Sequence, residues 1–179
     1  MSAQEAAGAL QAVLGAMAGP HATPRAGQID AVAALLSGAQ RVLVVQATGW
    51  GKSAVYWAPT LARRDAGAGP TIVISPLLAL MRDQVTAAES IGIQAATVNS
   101  SNKADWDVVF ERLDRDEIDV LLVSPERLAH PQFRERAMPV LQSSGLLVID
   151  EAHCISDWGF DFRPDYQRIA RLLLDLDAG

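Results

Sequence analysis

Five apolar runs punctuate the chain: RVLVVQ (41–46), TIVISP (71–76), IQAATV (93–98), IDVLLVSP (118–125) and LLVID (146–150). They are nearly continuous in apolar and β-branched residues, the pattern of strands covered on both faces of a parallel sheet. Between them lie KSAVYWAPTLARR (52–64), LLALMRDQVTAAESIG (77–92), NKADWDVVFERLDRDE (102–117) and ERLAHPQFRERAMPVLQSSG (126–145), which read as helices. This alternation predicts an α/β fold, a doubly wound and mainly parallel sheet between helical layers. Ligands of such sheets bind at the carboxyl ends of the strands, so candidate chemistry lies just after each run. Pro59, deep in the first of these helices, is expected to remove a backbone hydrogen bond and kink it. The alanine-rich start, MSAQEAAGALQAVLGAMAG, predicts an amphipathic surface helix, with residues 1–20 an extension ahead of a domain from 21 to 179. Its AMA mimics a leader cleavage site, but Glu5 is present and no Lys or Arg precedes Arg25, so a leader's basic start is absent.

Composition narrows the function classes. The chain has 179 residues, half of them apolar, enough for one domain with a real core. Cys154 is its single cysteine, which excludes an internal disulfide or a zinc cluster in this segment and suggests a reducing, cytoplasmic setting. No apolar run approaches the length of a membrane span. The net charge of −6 weighs mildly against a nucleic-acid partner. Only two lysines occur, Lys52 and Lys103. One of them sits in the most suggestive turn of the chain.

That turn is QATGWGKS (46–53), directly behind the first apolar run. A strand, a glycine-containing turn and GKS opening a helix form the context of a phosphate-binding loop. Thr48, Gly49, Trp50 and Gly51 would supply backbone amides to an oxyanion, Lys52 would reach the outer phosphates, and Ser53 would hold Mg²⁺. Gln46 stands where the full pattern asks for glycine, but the last five residues make most of the cradle. Trp50 does not veto binding, because its ring can point away from the phosphates. The bland alternative is a tight strand-to-helix turn with a solvated lysine.

LLVIDEAH (146–153) ends the last run in adjacent carboxylates. Asp150 is placed to hold the water shell of Mg²⁺, and Glu151 to orient or deprotonate an attacking water. His153 is a candidate coupling residue. Beyond it, Trp158, Phe160, Phe162 and Tyr166 interleave with Arg163, a composition suited to stacking on single-stranded bases. Some of these rings, Phe162 first, are expected to serve instead as a staple beneath the following helix, with Trp158 exposed.

At this point a family likeness becomes specific. DEAHCISDWGFDFRPDY (150–166) resembles the acid motif and aromatic-rich loop of RecQ-type DNA helicases of superfamily two. ISPLLALMRDQV (74–85) resembles the family's first DNA-contacting motif, while TVNSS (97–101) and LLVSPERL (121–128) are similar to two further segments. PRAGQ (24–28) resembles its adenine-recognising motif. The likeness implies a RecA-like first motor domain, in three layers, using ATP and Mg²⁺. It implies adenine contacts from Arg25 and Gln28, with His21 where a stacking aromatic is usual. It implies DNA contacts from Ser75, Pro76, Leu77, Gln84, Asn99, Ser100, Pro125, Glu126, Arg127, Trp158, Phe160, Phe162 and Arg163. Phe160 replaces the family's usual histidine, and Pro24 its usual aromatic. The family continues with one more strand and a second ATPase-like domain that supplies an arginine finger, so the segment is expected to be an incomplete half-motor. Its expected partners are single-stranded DNA at a duplex junction and that second domain, in cis or in trans. Two rivals stay open: a nucleotide-gated DNA-binding module without turnover, and a small-metabolite kinase.

Overall fold

The computed structural model describes residues 3–39, 41–128 and 130–155. Four strands, β1 (Thr71–Ile74), β2 (Ala95–Val98), β3 (Val120–Val123) and β4 (Leu146–Ile149), form one parallel sheet in the order β2-β3-β1-β4. Every residue of the two central strands is buried, which is why their sequences show no polar alternation. Side chains still alternate between the faces with the strand period of two. Ile72, Ile74, Leu121 and Val123 meet Trp106, Phe110, Phe133 and Leu141 of α5 (Trp106–Asp114) and α7 (Pro131–Gln142). Val73, Val120 and Leu122 face the other way. There they meet α1 (Ala3–Ala18), α2 (Gln28–Leu36), α3 (Lys52–Asp65) and α4 (Leu78–Ser90) through Leu10, Val32, Trp57 and Met81. The expected three-layer α/β architecture is the one observed.

Three elements differ in detail from the pattern. The stretch 126–145 is not one helix: α6 (Pro125–Leu128) stops and α7 restarts at Pro131. A proline at the first helical position has no partner to lose, so it starts a helix well. The stretch 102–117 opens with a turn of 3₁₀ helix, Lys103–Asp105, before α5. The alanine-rich α1 is amphipathic, and its inner face is part of the core. Ala6, Leu10 and Val13 are at most 2% exposed and meet α2 and α3, because small residues let helices approach closely. As for Pro59, α3 runs through it as a single helix.

The run 41–46 is a larger departure, since it forms no strand. Leu43 and Val45 are 81% and 79% exposed. Among the described residues β4 ends the sheet, and an apolar cavity of about 470 Å³ separates its partly exposed residues Leu146–Ile149 from Val42–Val45. Strand propensity needs a neighbouring backbone to satisfy, and among the described residues none pairs with this run.

The position of β4 depends on two glycines. The Gly145 amide donates to Gly69 O and Pro70 O, and a Cβ built on Gly69 would lie 2.0 Å from the Ser143 carbonyl oxygen. Backbone cannot yield as a side-chain tip can. Gly69→Ala is therefore expected to destabilise the domain by about 1–3 kcal/mol, the usual cost of overpacking, read as a lowered denaturant midpoint. An unchanged midpoint would mean that β4 has no need of this close approach.

Candidate functional site

The connection from β3 to β4 passes over β1, so the carboxyl ends of β1 and β4 adjoin where strand order reverses. The Asp150 amide donates to Ile74 O at 2.9 Å, extending the ladder by one residue and fixing Asp150 beside Ser75. The glycine turn meets this point from α3. Gly49 and Gly51 adopt φ of +80° and +90°, a left-handed region open to glycine at little cost. Gly51 is also the N-cap of α3, and no side chain caps the helix. The first amides of α3 have no partner within the helix and are available to an anion.

The adenine-motif residues are bound to this loop. Gln28, only 1% exposed, accepts from the Arg25 amide at 2.8 Å and donates to Trp50 O and Gly51 O, each at 3.2 Å. The Arg25 guanidinium donates to Gly49 O. A Cβ on Gly51 would lie 2.9 Å from Gln28 Nε2, so the clamp and the glycine require each other. His21 is exposed. The Trp50 ring reaches to Gly27 and packs with the core between sheet and helices. It stands away from the groove beside the loop, which resolves the oddity of a tryptophan in this turn. Lys52 Nζ donates to Gln46 O at 3.1 Å and Ala47 O at 3.4 Å, carbonyl oxygens that stand in for the anionic oxygens a lysine there would hold.

A groove of about 310 Å³ runs from Thr48, Gly49, Gly51, Lys52 and Ser53 to Asp150 and Glu151. Asp150 Oδ1 accepts from the Glu151 amide at 3.0 Å, and Oδ2 accepts from Gln84 Nε2 at 3.1 Å. Glu151 has a φ of +51°, uncommon for a residue with a side chain and a strain of a kind found at working sites. Its carboxylate pairs with His153 Nδ1 at 3.2 Å. Tyr56, four residues after Lys52 and so on the same face of α3, lines the same groove. Burial pushes its hydroxyl well above the ordinary tyrosine range; against it Ser53 pulls down, and the Asp150 charge adds a further push up. The hydroxyl stays outside hydrogen-bonding geometry. No motif marks Tyr56, and the signal that points to it is the helical spacing from Ser53.

The strand-end residues divide into exposed and internal ones. Leu77 and Ser100 are exposed, whereas Ser75, Pro76 and Pro125 are buried. Asn99 is an internal brace: its Oδ1 accepts from the Ser101 amide and hydroxyl, and its carbonyl accepts from Trp106 Nε1. Glu126 accepts from Ser124 Oγ at 2.7 Å, and the Arg127 guanidinium lies over the Trp106 ring at 5.5 Å. Trp158, Phe160, Phe162 and Arg163 lie outside the described residues.

A lysine and a helix N-terminus opposite paired carboxylates suit a phosphate chain with a divalent cation. The donors fit Mg²⁺, which takes one or two protein oxygens and completes its shell with phosphate and water. Among the described residues no three His, Cys, Asp or Glu side chains gather into a cage of their own. No described helix is long and apolar enough to cross a membrane.

Similarity to known proteins agrees with this geometry. The model of the DEAD/DEAH box helicase family matches residues 25–177. ATP-dependent DNA helicase RecQ of Bacillus subtilis is 40% identical over 157 residues, which cover 85% of this chain and 25% of that protein. Its counterpart in Haemophilus influenzae is 41% identical over 149 residues, 83% of this chain and 23% of that protein. ATP-dependent DNA helicase Q-like 2 of Arabidopsis thaliana is 38% identical over 154 residues, 83% and 21% respectively. The chain thus spans about a quarter or less of these curated relatives. With the family matched from the loop clamp at Arg25 to beyond the acid strand, the chain belongs to the DEAD/DEAH box helicases.

Proposed function

We propose that the chain is the ATP-binding half of a RecQ-like DNA helicase, which couples ATP hydrolysis to movement along single-stranded DNA and to duplex unwinding. The observation that carries this reading is the single groove in which Lys52 and Ser53 face Asp150 and Glu151. The Lys52 ammonium exchanges its loop carbonyls for the outer phosphates. Ser53 Oγ and the Asp150 carboxylate would hold Mg²⁺, which would supply charge neutralisation at the phosphates. Glu151 orients and deprotonates the attacking water, and His153 steadies the Glu151 carboxylate. Arg25 and Gln28 recognise adenine by trading bonds now made to the loop, with His21 in the stacking position that the family likeness gives it. In the cytoplasm, single-stranded DNA lies across the strand-end rim at Leu77, Ser100, Glu126 and Arg127, above the buried Ser75, Pro76, Asn99 and Pro125 that shape these turns. Trp158, Phe160, Phe162 and Arg163 extend that contact toward the acid motif.

The test is whether DNA changes nucleotide binding. A single-stranded oligonucleotide is expected to shift the affinity for a fluorescent MgATP analogue, and a small phosphate acceptor to leave it unchanged. Trp158→Ala is expected to lose about 1–3 kcal/mol of DNA affinity, the worth of one stacked base, and Arg163→Ala to weaken DNA binding as well. Both should retain nucleotide affinity. A fall in denaturant midpoint in both variants, with DNA binding intact, would assign these side chains to the core instead.

A further inference from the structure

We infer that Gln84 is a positioning residue that couples the seat of α4 to the Asp150 carboxylate, so that a strand bound over the start of α4 alters nucleotide affinity through this amide. The inference rests on the reading of Asp150 as the acid of the nucleotide site. Helix α4 follows β1 at its carboxyl end, and its residues Leu80, Asp83, Gln84 and Ala87 line the groove opposite the phosphate loop. They recur at i, i+3, i+4 and i+7, one stripe of a helix. Met81 and Ala88 hold the other side of α4 in the core at 0% exposure. The helix start is uncovered, with Leu77 41% and Leu80 37% exposed. One helix therefore touches the acid with one face and offers apolar side chains to solvent one to two turns earlier.

The contact itself suits a coupling device. Asp150 Oδ1 is held by the neighbouring Glu151 amide, which moves with it. Oδ2 is held by Gln84, 66 residues away on a separate element. The carboxylate fixes which end of the Gln84 amide faces it, since only the NH₂ group donates. At 3.1 Å the bond is near the long end of the range for N–H···O contacts, about 2.7–3.2 Å, so a small shift of α4 breaks it. The other end of the same amide, Oε1, is buried and has no partner. An unmet buried acceptor makes this arrangement one that a displaced α4 readily exchanges for another.

The experiment is a pair of titrations on the 179-residue chain, a fluorescent MgATP analogue with and without a saturating single-stranded oligonucleotide. The ratio of the two affinities is the coupling, expected at roughly 5–150 in the wild type, the range of typical linked sites. Gln84→Met keeps the shape and removes the donor, and its ratio is expected to fall to near one. Its melting temperature should stay at the wild-type value. Gln84→Glu sets a carboxylate against Asp150 and is expected to weaken MgATP binding even without DNA. Wild-type coupling that persists in both variants overturns the role of Gln84 and leaves the nucleotide site standing. A wild-type chain whose nucleotide affinity ignores DNA overturns the inference together with the reading beneath it.

Discussion

Lys52→Ala abolishes measurable MgATP binding and leaves the domain folded. In the structure Lys52 is half-buried and bonds to loop carbonyls, those of Gln46 and Ala47. It belongs to neither core cluster. Truncation therefore uncovers two carbonyl oxygens on an exposed loop, where water replaces the ammonium without penalty. With nucleotide present the balance differs. Two charge-assisted bonds to phosphate, each worth about 1.5–3 kcal/mol, correspond to about 10²–10⁴ in affinity. Equilibrium titration with a fluorescent analogue measures the loss, and the melting temperature of the empty protein checks the fold. Unchanged affinity would remove the phosphate-loop assignment, whatever the family of the chain.

Much of this site was legible because its chemistry lies in backbone conformation that particular residues permit. Gly49 and Gly51 occupy left-handed conformations that side chains disfavour, so their spacing carried the loop geometry. The buried strands β1 and β3 announced themselves as unbroken apolar runs for the same kind of reason. The run 41–46 has the same composition as those strands and is none. What separates them is a neighbouring backbone, a tertiary fact that propensity does not hold. Glu151 shows a second limit, because its positive φ falls on a residue type that gives no hint of it. Arg25 and Gln28 show a third. Their types suit hydrogen bonding to a base, and they suit a loop carbonyl equally well. Only the fold brings Gly49, Trp50 and Gly51 within their reach. Asn99 illustrates the converse: its side chain closes a turn onto Ser101, and a motif match cannot tell a brace from a contact.

The 179 residues expressed alone are expected to bind MgATP and turn it over slowly, and a second ATPase-like domain to raise the rate by roughly 10³–10⁵, the worth of an arginine finger. The groove is walled by α3, α4 and the end of β4, and its glycine turn is exposed. Phosphates bound there stay in contact with water, which weakens each electrostatic interaction. Arg25, the arginine bonded to the loop, already donates to Gly49 O. On the proposed half-motor reading, a finger enters from outside this groove, carried by a facing domain. Supplying that domain, tethered or in trans, should give DNA-stimulated hydrolysis that Glu151→Gln eliminates. The amide keeps the shape of the Glu151 side chain and cannot accept the proton of the attacking water. Robust DNA-stimulated turnover by the 179-residue chain as a verified monomer would refute the two-half mechanism. Turnover that rises steeply with protein concentration would instead identify a finger donated by a neighbouring copy, because a shared site forms only when two chains meet.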